Sequence, residues 1–221
     1  MPQVTKSLVE VPRTGRYYRL NSVQSLTKNV WIVFHGYGQL AKYFINHFEE
    51  LDENENCIIA VEGLSRFYVD GLSGRVGASW MTKDEREEEI KDQSIYINTV
   101  LKDAGVDPNS SDYNLIVMGF SQGTATAIRW MVNNSVRPKH LVMWAGSFPH
   151  DVDASQKPEI FQRLPLHYAY GNEDQFLKDV DMNEKLAEMK KTGMEINSWT
   201  FDGKHVMDKP TLAKIVGSFD D

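Results

Sequence analysis

Residues 113–131 read Tyr-Asn-Leu-Ile-Val-Met-Gly-Phe-Ser-Gln-Gly-Thr-Ala-Thr-Ala-Ile-Arg-Trp-Met. The apolar run at 115–118 predicts a buried strand, and the segment from residue 122 onward predicts a helix. Between them stands Gly-Phe-Ser-Gln-Gly, whose outer residues are Gly119 and Gly123. Because glycine has no Cβ, this pair lets strand and helix approach closely around a central residue held in an uncommon backbone conformation.

The central residue of this turn, Ser121, is the first candidate for catalysis. A Gly-x-Ser-x-Gly pattern directly after a strand and directly before a helix is typical of the nucleophile elbow of α/β-hydrolases, where the serine oxygen is exposed above the sheet. The pattern therefore predicts a nucleophilic serine. The alternative that it leaves open is an ordinary tight turn whose serine only caps the helix.

The composition of the chain limits the classes of function. Its 221 residues, of which 41% are hydrophobic and 25% charged, predict a single domain over residues 1–221. The formal net charge of −7 argues against a nucleic-acid partner, because phosphate binding needs a basic surface. No apolar run is long enough to span a membrane, and the first residues lack the apolar core of a signal peptide, so we expect a cytoplasmic protein.

Apolar runs and amphipathic segments alternate along the chain. The runs predict buried strands at residues 30–34, 57–61, 115–118, 140–145 and 166–170, and residues 196–201 predict a last strand. The segments between them predict helices at 40–51, 83–104, from 122 onward, at 182–192 and around Pro210. Strands that alternate with helices predict an α/β fold of the α/β-hydrolase type, a mostly parallel central sheet with helices on both faces.

Two segments outside this alternation complete the expected architecture. Residues 5–20 predict an N-terminal β-hairpin, whose arms at 7–11 and 17–20 flank a cluster of turn residues. Residues 146–164 are too few for a large cap domain. We therefore expect the site to be accessible.

The stretch from 62 to 82 is expected to be long and irregular, and such loops in compact domains are usually functional or disordered. Thr82 and Glu85 fit a capping box for the helix that follows. Aromatic side chains within the stretch argue for order and are candidates for substrate binding: Phe67, Tyr68 and Trp80.

A serine nucleophile needs two further side chains. The hydroxyl is a poor nucleophile near neutral pH, so it requires a base, and the base requires an acidic partner that fixes its tautomer. In α/β-hydrolases these follow in the order Ser, Asp or Glu, His, each at the end of a strand. Asp174 follows the predicted strand 166–170 in a sharp turn, and its neighbour Glu173 is the main rival.

Four histidines come after the serine in the chain: His140, His150, His167 and His205. His140 starts a predicted strand and His167 lies inside one, which favours structural roles for both. His150 precedes the acid and so breaks the expected order. His205 follows the last predicted strand and is the predicted base.

The remaining requirement is an oxyanion hole. One donor is expected to be the backbone N–H of Gln122, at the positive end of its helix. The other should come from the Gly-rich turn after strand 30–34, where the Tyr37 N–H is the best candidate. His35, at the start of that turn, is expected to stabilise the turn rather than to catalyse.

Taken together, these motifs resemble the phospholipase/carboxylesterase family of α/β-hydrolases, which includes acyl-protein thioesterases and small bacterial carboxylesterases. The resemblance runs from about Val30 to the C-terminus. It rests on five segments: His35-Gly36-Tyr37-Gly38, Ser79-Trp80, Gly119-Phe120-Ser121-Gln122-Gly123, Gly171-Asn172-Glu173-Asp174 and Gly203-Lys204-His205. It implies a Ser121–His205–Asp174 triad, an oxyanion hole and no metal or organic cofactor.

Two departures from the family pattern bear on the substrate. Gln39 stands where the family usually has an acidic residue, and Met81 and Thr82 stand where it often has an aromatic residue and an aspartate. Both lie where the acyl or leaving group is expected. Trp80 is a candidate wall of the acyl pocket, with a plain core role as the alternative.

These observations predict a serine hydrolase that cleaves a small-molecule ester or thioester through an acyl-enzyme. The main hypothesis is a carboxylesterase. One alternative is an acyl-protein thioesterase or lysophospholipase that prefers long acyl chains. Another is a catalytically idle hydrolase fold that serves as a binding module.

Overall fold

In the computed structural model, which describes residues 3–219, a seven-stranded sheet forms the centre of the molecule. The strands, in chain order, are β1 (Tyr17–Leu20), β2 (Asn29–Phe34), β3 (Asn56–Val61), β4 (Ser65–Tyr68), β5 (Val76–Ser79), β6 (Asn114–Phe120), β7 (His140–Trp144), β8 (Pro165–Gly171) and β9 (Glu195–Phe201). The sheet has the order β1-β3-β2-β6-β7-β8-β9. All neighbours are parallel except β1, which pairs with β3 antiparallel.

Helices cover both faces of this sheet. They are α1 (Ala41–Phe44), α2 (Arg86–Ala104), α3 (Gln122–Asn133), α4 (Pro158–Phe161), α5 (Met182–Lys190) and α6 (Lys209–Gly217), with 3₁₀ helices at Ile45–Phe48 and Ala154–Gln156. The core on one face contains residues of α2, α3, α4 and α5, and the core on the other contains residues of α1 and α6. The predicted α/β-hydrolase architecture is therefore confirmed. Residues 146–164 hold only short helical segments and no large cap.

The central strands read as continuous apolar runs because both of their faces are covered. In β2, Val30, Ile32 and Phe34 point into one core, while Trp31 and Val33 point into the other. All five side chains are fully buried. Burial of each is worth about 1.5–3 kcal/mol relative to exposure, so the alternating faces of one strand stabilise both layers.

The predicted N-terminal hairpin is wrong. Its second arm exists as β1, but β1 pairs with β3, and residues 7–11 form no strand. The physical reason is burial: on the edge of β3, Tyr17 packs on one core and Leu20 on the other, whereas Val9 stays 83% exposed. A pattern of alternating residues identified a strand but not its partner.

The stretch from 62 to 82 is also more regular than predicted. It contains the antiparallel pair β4–β5, which forms its own two-stranded sheet. The expected capping box is absent from this segment, because α2 begins at Arg86 and Glu85 carries a left-handed backbone with no side-chain cap. Instead, the Thr82 N–H donates to Glu89 Oε2 at 2.6 Å.

Across residues 3–219, none of the helices has the length and apolar character needed to cross a membrane.

Candidate active site

The turn between β6 and α3 is strained as the sequence predicted. Ser121 has a φ of 53° and a ψ of −118°, a conformation that costs a non-glycine residue roughly 1–3 kcal/mol. The flanking glycines are sterically required. A Cβ on Gly119 would lie 2.3 Å from the Thr124 Cα, and one on Gly123 would lie 2.3 Å from the Phe34 carbonyl oxygen. The Ser121 N–H donates to the Trp144 carbonyl at 2.8 Å, which fixes the turn to β7.

The parallel register places several strand ends at one edge of the sheet. Phe34 is opposite Gly119, and Gly171 is opposite Phe201. The Gly-rich turn after β2, the serine turn after β6, and the loops after β8 and β9 therefore leave the sheet on the same side. This is the side on which open α/β sheets build their sites.

Asp174 and His205 meet across the loops that follow β8 and β9. Asp174 is 3% exposed, and its Oδ2 lies 2.7 Å from His205 Nδ1, while its Oδ1 accepts from the Phe176 N–H at 2.9 Å. The rival Glu173 is exposed to solvent. A Cβ on Gly171 would lie 2.2 Å from the Gly203 carbonyl oxygen, so glycine permits the close approach of the two loops.

The His205 imidazole lies beside the serine turn. Its ring centroid is 5.0 Å from that of Phe120, the residue directly before Ser121, and 4.7 Å from that of Phe176. Since Asp174 occupies Nδ1, the free ring atom is Nε2. Within residues 3–219 no hydrogen bond joins the Ser121 hydroxyl to this ring. Catalytic hydrogen bonds often tighten only when substrate is bound.

The Gly-rich turn after β2 is held by the side chain of Gln39, one of its own residues, and by β5. Gln39 Oε1 accepts from the Gly36 N–H at 2.8 Å. The Gly38 N–H donates to the Ala78 carbonyl at 2.9 Å, and the Ala78 N–H donates to the Gln39 carbonyl at 2.8 Å. Gln39, for which the sequence predicted a position near the substrate, stabilises this turn.

Two backbone donors remain available at the site. In the described part of the chain, neither the Tyr37 N–H nor the Gln122 N–H donates to a protein acceptor. Gln122 is the first residue of α3, where the N–H groups have no partner inside the helix. Both are free to donate to a ligand oxygen.

The Gln122 side chain has a role that sequence reasoning missed. Its Oε1 accepts from the Trp80 N–H at 3.1 Å, and its Nε2 donates to the Met81 carbonyl at 2.9 Å. The side-chain amide therefore ties the segment after β5 to the start of α3. The sequence contained one sign of this role: Gln122, whose side-chain amide can donate and accept, occupies a variable position of the Gly-x-Ser-x-Gly motif.

His35 stabilises the first turn, as predicted. Its Nδ1 lies 2.7 Å from the Gly36 carbonyl, and its Nε2 accepts from the Gly63 N–H at 3.0 Å. These partners require the neutral ring with the proton on Nδ1. Burial lowers the pKa of His35 to about 4, in agreement with a neutral ring.

The three aromatic candidates for substrate binding occupy different environments. Trp80 is 1% exposed, packs against Phe34 and donates from Nε1 to the His35 carbonyl at 2.7 Å. Phe67 is half-buried, and its ring centroid is 5.1 Å from that of Tyr37. Tyr68 is half-exposed. Trp80 thus has a core role, and contact between these rings and a substrate stays a prediction.

Among residues 3–219, no three His, Cys, Asp or Glu side chains are grouped so as to hold a metal ion.

The sheet order and the strained serine turn define an α/β-hydrolase. The chain belongs to the phospholipase/carboxylesterase family, since the protein-family model described as Phospholipase/Carboxylesterase matches residues 17–218. It is accordingly an ester hydrolase. A comparison with curated proteins found no match.

Solved structures show the same fold. The Bacillus cereus carboxylesterase superposes with a TM-score of 0.67 at 14% identity, over 93% of each chain. Zea mays acyl-protein thioesterase 2 has a TM-score of 0.64 at 17% identity, over 92% of this chain and 97% of that one. Esterase PE8 has a TM-score of 0.67 at 17% identity, over 92% of this chain and 96% of that one.

Proposed function

We propose that this ester hydrolase cleaves carboxylic esters through a Ser121–His205–Asp174 triad and an acyl-enzyme intermediate. The observation that carries the proposal is the 2.7 Å contact between buried Asp174 and His205, at the same sheet edge as the strained Ser121 turn. An aspartate on Nδ1 holds the ring in the tautomer that presents Nε2 as a base.

In the proposed reaction, the Ser121 hydroxyl attacks the ester carbonyl carbon while His205 Nε2 takes its proton. The Tyr37 and Gln122 N–H groups donate to the developing oxyanion. His205 then returns the proton to the leaving alcohol, which departs and leaves the acyl group on Ser121. Water attacks the acyl-enzyme by the same proton transfers and frees the acid.

Replacement of the nucleophile tests this scheme. We expect Ser121→Ala to lower kcat/KM for p-nitrophenyl acetate by about 10³-fold or more, because the residual rate comes only from binding and the oxyanion donors. The exposed Ser73→Ala is the matched control and should retain wild-type turnover. Unchanged hydrolysis by Ser121→Ala would refute the assignment.

A fluorophosphonate probe separates catalysis from a binding role. It reacts covalently with an activated serine, so we expect wild-type protein and Ser73→Ala to be labelled and Ser121→Ala to stay unlabelled. A folded wild-type protein that takes no label would favour a catalytically idle binding module.

The preference for short or long acyl chains is open to a direct test. Each methylene buried in an apolar groove should contribute about 0.8 kcal/mol, or close to fourfold in kcat/KM. A rise that continues from C2 to C12 esters would favour the thioesterase or lysophospholipase alternative. A plateau after a few carbons is expected for a carboxylesterase of small substrates.

A further inference from the structure

A cavity of about 460 Å³ lies beside the first two turns of α3. Gln122, Ala125 and Arg129 line it from one helix face, since they are three and four residues apart. The rest of its wall comes from the segment before α2, the first residue of α2 and the loop after β7: Met81, Thr82, Lys83, Arg86 and His150. Because Gln122 directly follows Ser121, the cavity begins one residue from the proposed nucleophile.

The wall of this cavity is cationic in a protein whose formal net charge is −7. Three of its eight lining residues are Lys83, Arg86 and Arg129, and none of the eight is a carboxylate. Carboxylates lie around this wall: Asp151 contacts both arginines, and Glu89 accepts from the Thr82 N–H. Asp84 and Glu87 directly follow Lys83 and Arg86 in the chain. The charged side chains that line the cavity are therefore all cations, and the neighbouring carboxylates stand outside its lining.

Asp151 is hydrogen-bonded to the Arg129 guanidinium and forms an ion pair with that of Arg86. Its Oδ1 lies 2.6 Å from Arg86 Nη2 and 2.8 Å from Arg129 Nη2, and its Oδ2 accepts from Arg129 Nε at 3.0 Å. The hydrogen bond from Arg129 holds the pKa of Asp151 well below its ordinary value, so this carboxylate is ionised. The plane of the Arg129 guanidinium is thereby fixed.

Arg129 keeps one strong donor group with a poor partner. The residue is 8% exposed, and its Nη1 donates to Met81 Sδ at 3.3 Å. A thioether sulfur is a weak acceptor, and a buried cationic donor gains most from an anionic oxygen. Asp151 already accepts from Arg129 Nε and Nη2, so Nη1 is the group left to donate to one oxygen of a ligand carboxylate.

We propose that this cavity binds a carboxylate carried by the substrate, so that the enzyme prefers esters with a second, free carboxylate. This proposal rests on the proposed esterase function and names its substrate class. The volume of the cavity falls in the range of small-molecule sites, roughly 300–1,000 Å³.

The helix geometry limits the distance between ester and carboxylate. Gln122 and Arg129 are seven residues apart, which corresponds to about 10 Å of helix rise at 1.5 Å per residue. Helical side chains lean toward the N-terminus, so the Arg129 guanidinium is brought nearer to Ser121 than its Cα. A linker of a few carbon atoms between the two groups therefore fits better than a long chain.

The first experiment compares charged esters with uncharged analogues of the same linker. Monoethyl glutarate against ethyl pentanoate tests a carboxylate on the acyl side, and 4-acetoxybutanoate against butyl acetate tests one on the alcohol side. We expect one charged ester to exceed its analogue in kcat/KM by tenfold or more. If neither charged ester is preferred while the uncharged esters are hydrolysed, the carboxylate proposal is wrong and the esterase proposal stands.

Substitutions in the cavity wall then assign the preference to these residues. Arg129→Met keeps an apolar stem, and Lys83→Glu reverses the charge at an exposed position, which covers the case in which Arg129→Met does not fold. Either variant should bring the charged-to-uncharged ratio of kcat/KM toward one. Lys139 is exposed, lies between α3 and β7 and does not line the cavity. Lys139→Gln is therefore the control and should keep the wild-type ratio. A ratio that both cavity variants leave unchanged would overturn the proposal.

A binding measurement decides the matter if no ester is cleaved. Calorimetric titration of the wild-type protein with glutarate should show binding that Lys83→Glu weakens at least tenfold. Absence of glutarate binding to the folded wild-type protein would reject the carboxylate site. Binding without any esterase turnover would instead reject the proposed reaction and keep the site.

Discussion

Two buried imidazoles should make this protein lose stability as the pH falls below neutrality. His35 is fully buried and His167 is 2% exposed, and burial lowers the pKa of each to about 4. For His167 the neighbouring His140 adds to this effect. In the unfolded chain both rings return to a pKa of about 6.5. Between these two values the unfolded state binds protons that the folded state excludes.

The sign and size of the effect follow from proton linkage. A base whose pKa is lower in the folded state than in the unfolded state contributes its full stability at pH values above the unfolded-state pKa. This stability is lost as the pH falls toward the folded-state pKa. From pH 7 to pH 5, each ring should reduce the free energy of unfolding by about 1.8 kcal/mol, or about 4 kcal/mol for the pair. Burial also lowers the pKa of His47, which acts in the same direction. Such a loss is a large part of the 5–15 kcal/mol typical of a domain.

Urea unfolding at pH 7, 6 and 5 and constant ionic strength measures this loss. His167→Gln removes one titrating ring and should reduce the difference between pH 7 and pH 5 by about 2 kcal/mol. The comparison uses the change with pH rather than the stability at one pH, because the substitution also alters packing against Trp199. A wild-type loss below about 1 kcal/mol would show that the two rings are not kept neutral by the fold.

Three further changes probe the site. Asp174→Asn should lower kcat/KM for p-nitrophenyl acetate by about 10³- to 10⁴-fold with an unchanged circular dichroism spectrum, because an amide favours the wrong tautomer of the base; a loss below tenfold would contradict the triad. Gln122→Met keeps the backbone N–H but removes the side-chain bonds to Trp80 and Met81, so urea unfolding should show a loss of about 1–3 kcal/mol. Gly77→Ala would place a Cβ 2.4 Å from the Gly38 carbonyl oxygen, so both thermal stability and kcat should fall; wild-type values of both would show that the turn adapts freely.

The sequence was sufficient for the buried parallel strands and for the serine turn because their constraints are local. A strand covered on both faces must be apolar throughout, and β2 and β3 read that way without knowledge of their neighbours. Likewise the positive φ of Ser121 and the close approach at Gly119 and Gly123 leave a short, recognisable pattern. The order of strand ends then predicted that Asp174 and His205 would meet.

The errors arose where stability depends on distant partners. β4 and β5 are short and partly polar, and their pairing with each other is not visible in either segment alone. The strand at β1 was found, but the edge of β3 that attracts it lies about forty residues further on. The Arg86–Asp151–Arg129 cluster joins three separate elements, so none of its members carried a local pattern.

The segment that sequence reasoning took for an irregular loop supports both proposed oxyanion donors. β5 bonds to the turn that carries Tyr37, through the two hydrogen bonds between Ala78 and residues 38–39. Immediately after β5, Trp80 and Met81 bond to the Gln122 side chain at the start of α3. One hairpin therefore fixes two strand-end turns that are far apart in sequence. Because oxyanion donors act only when they are held in position before the reaction, the hairpin belongs to the proposed catalytic apparatus although it contributes no reacting group.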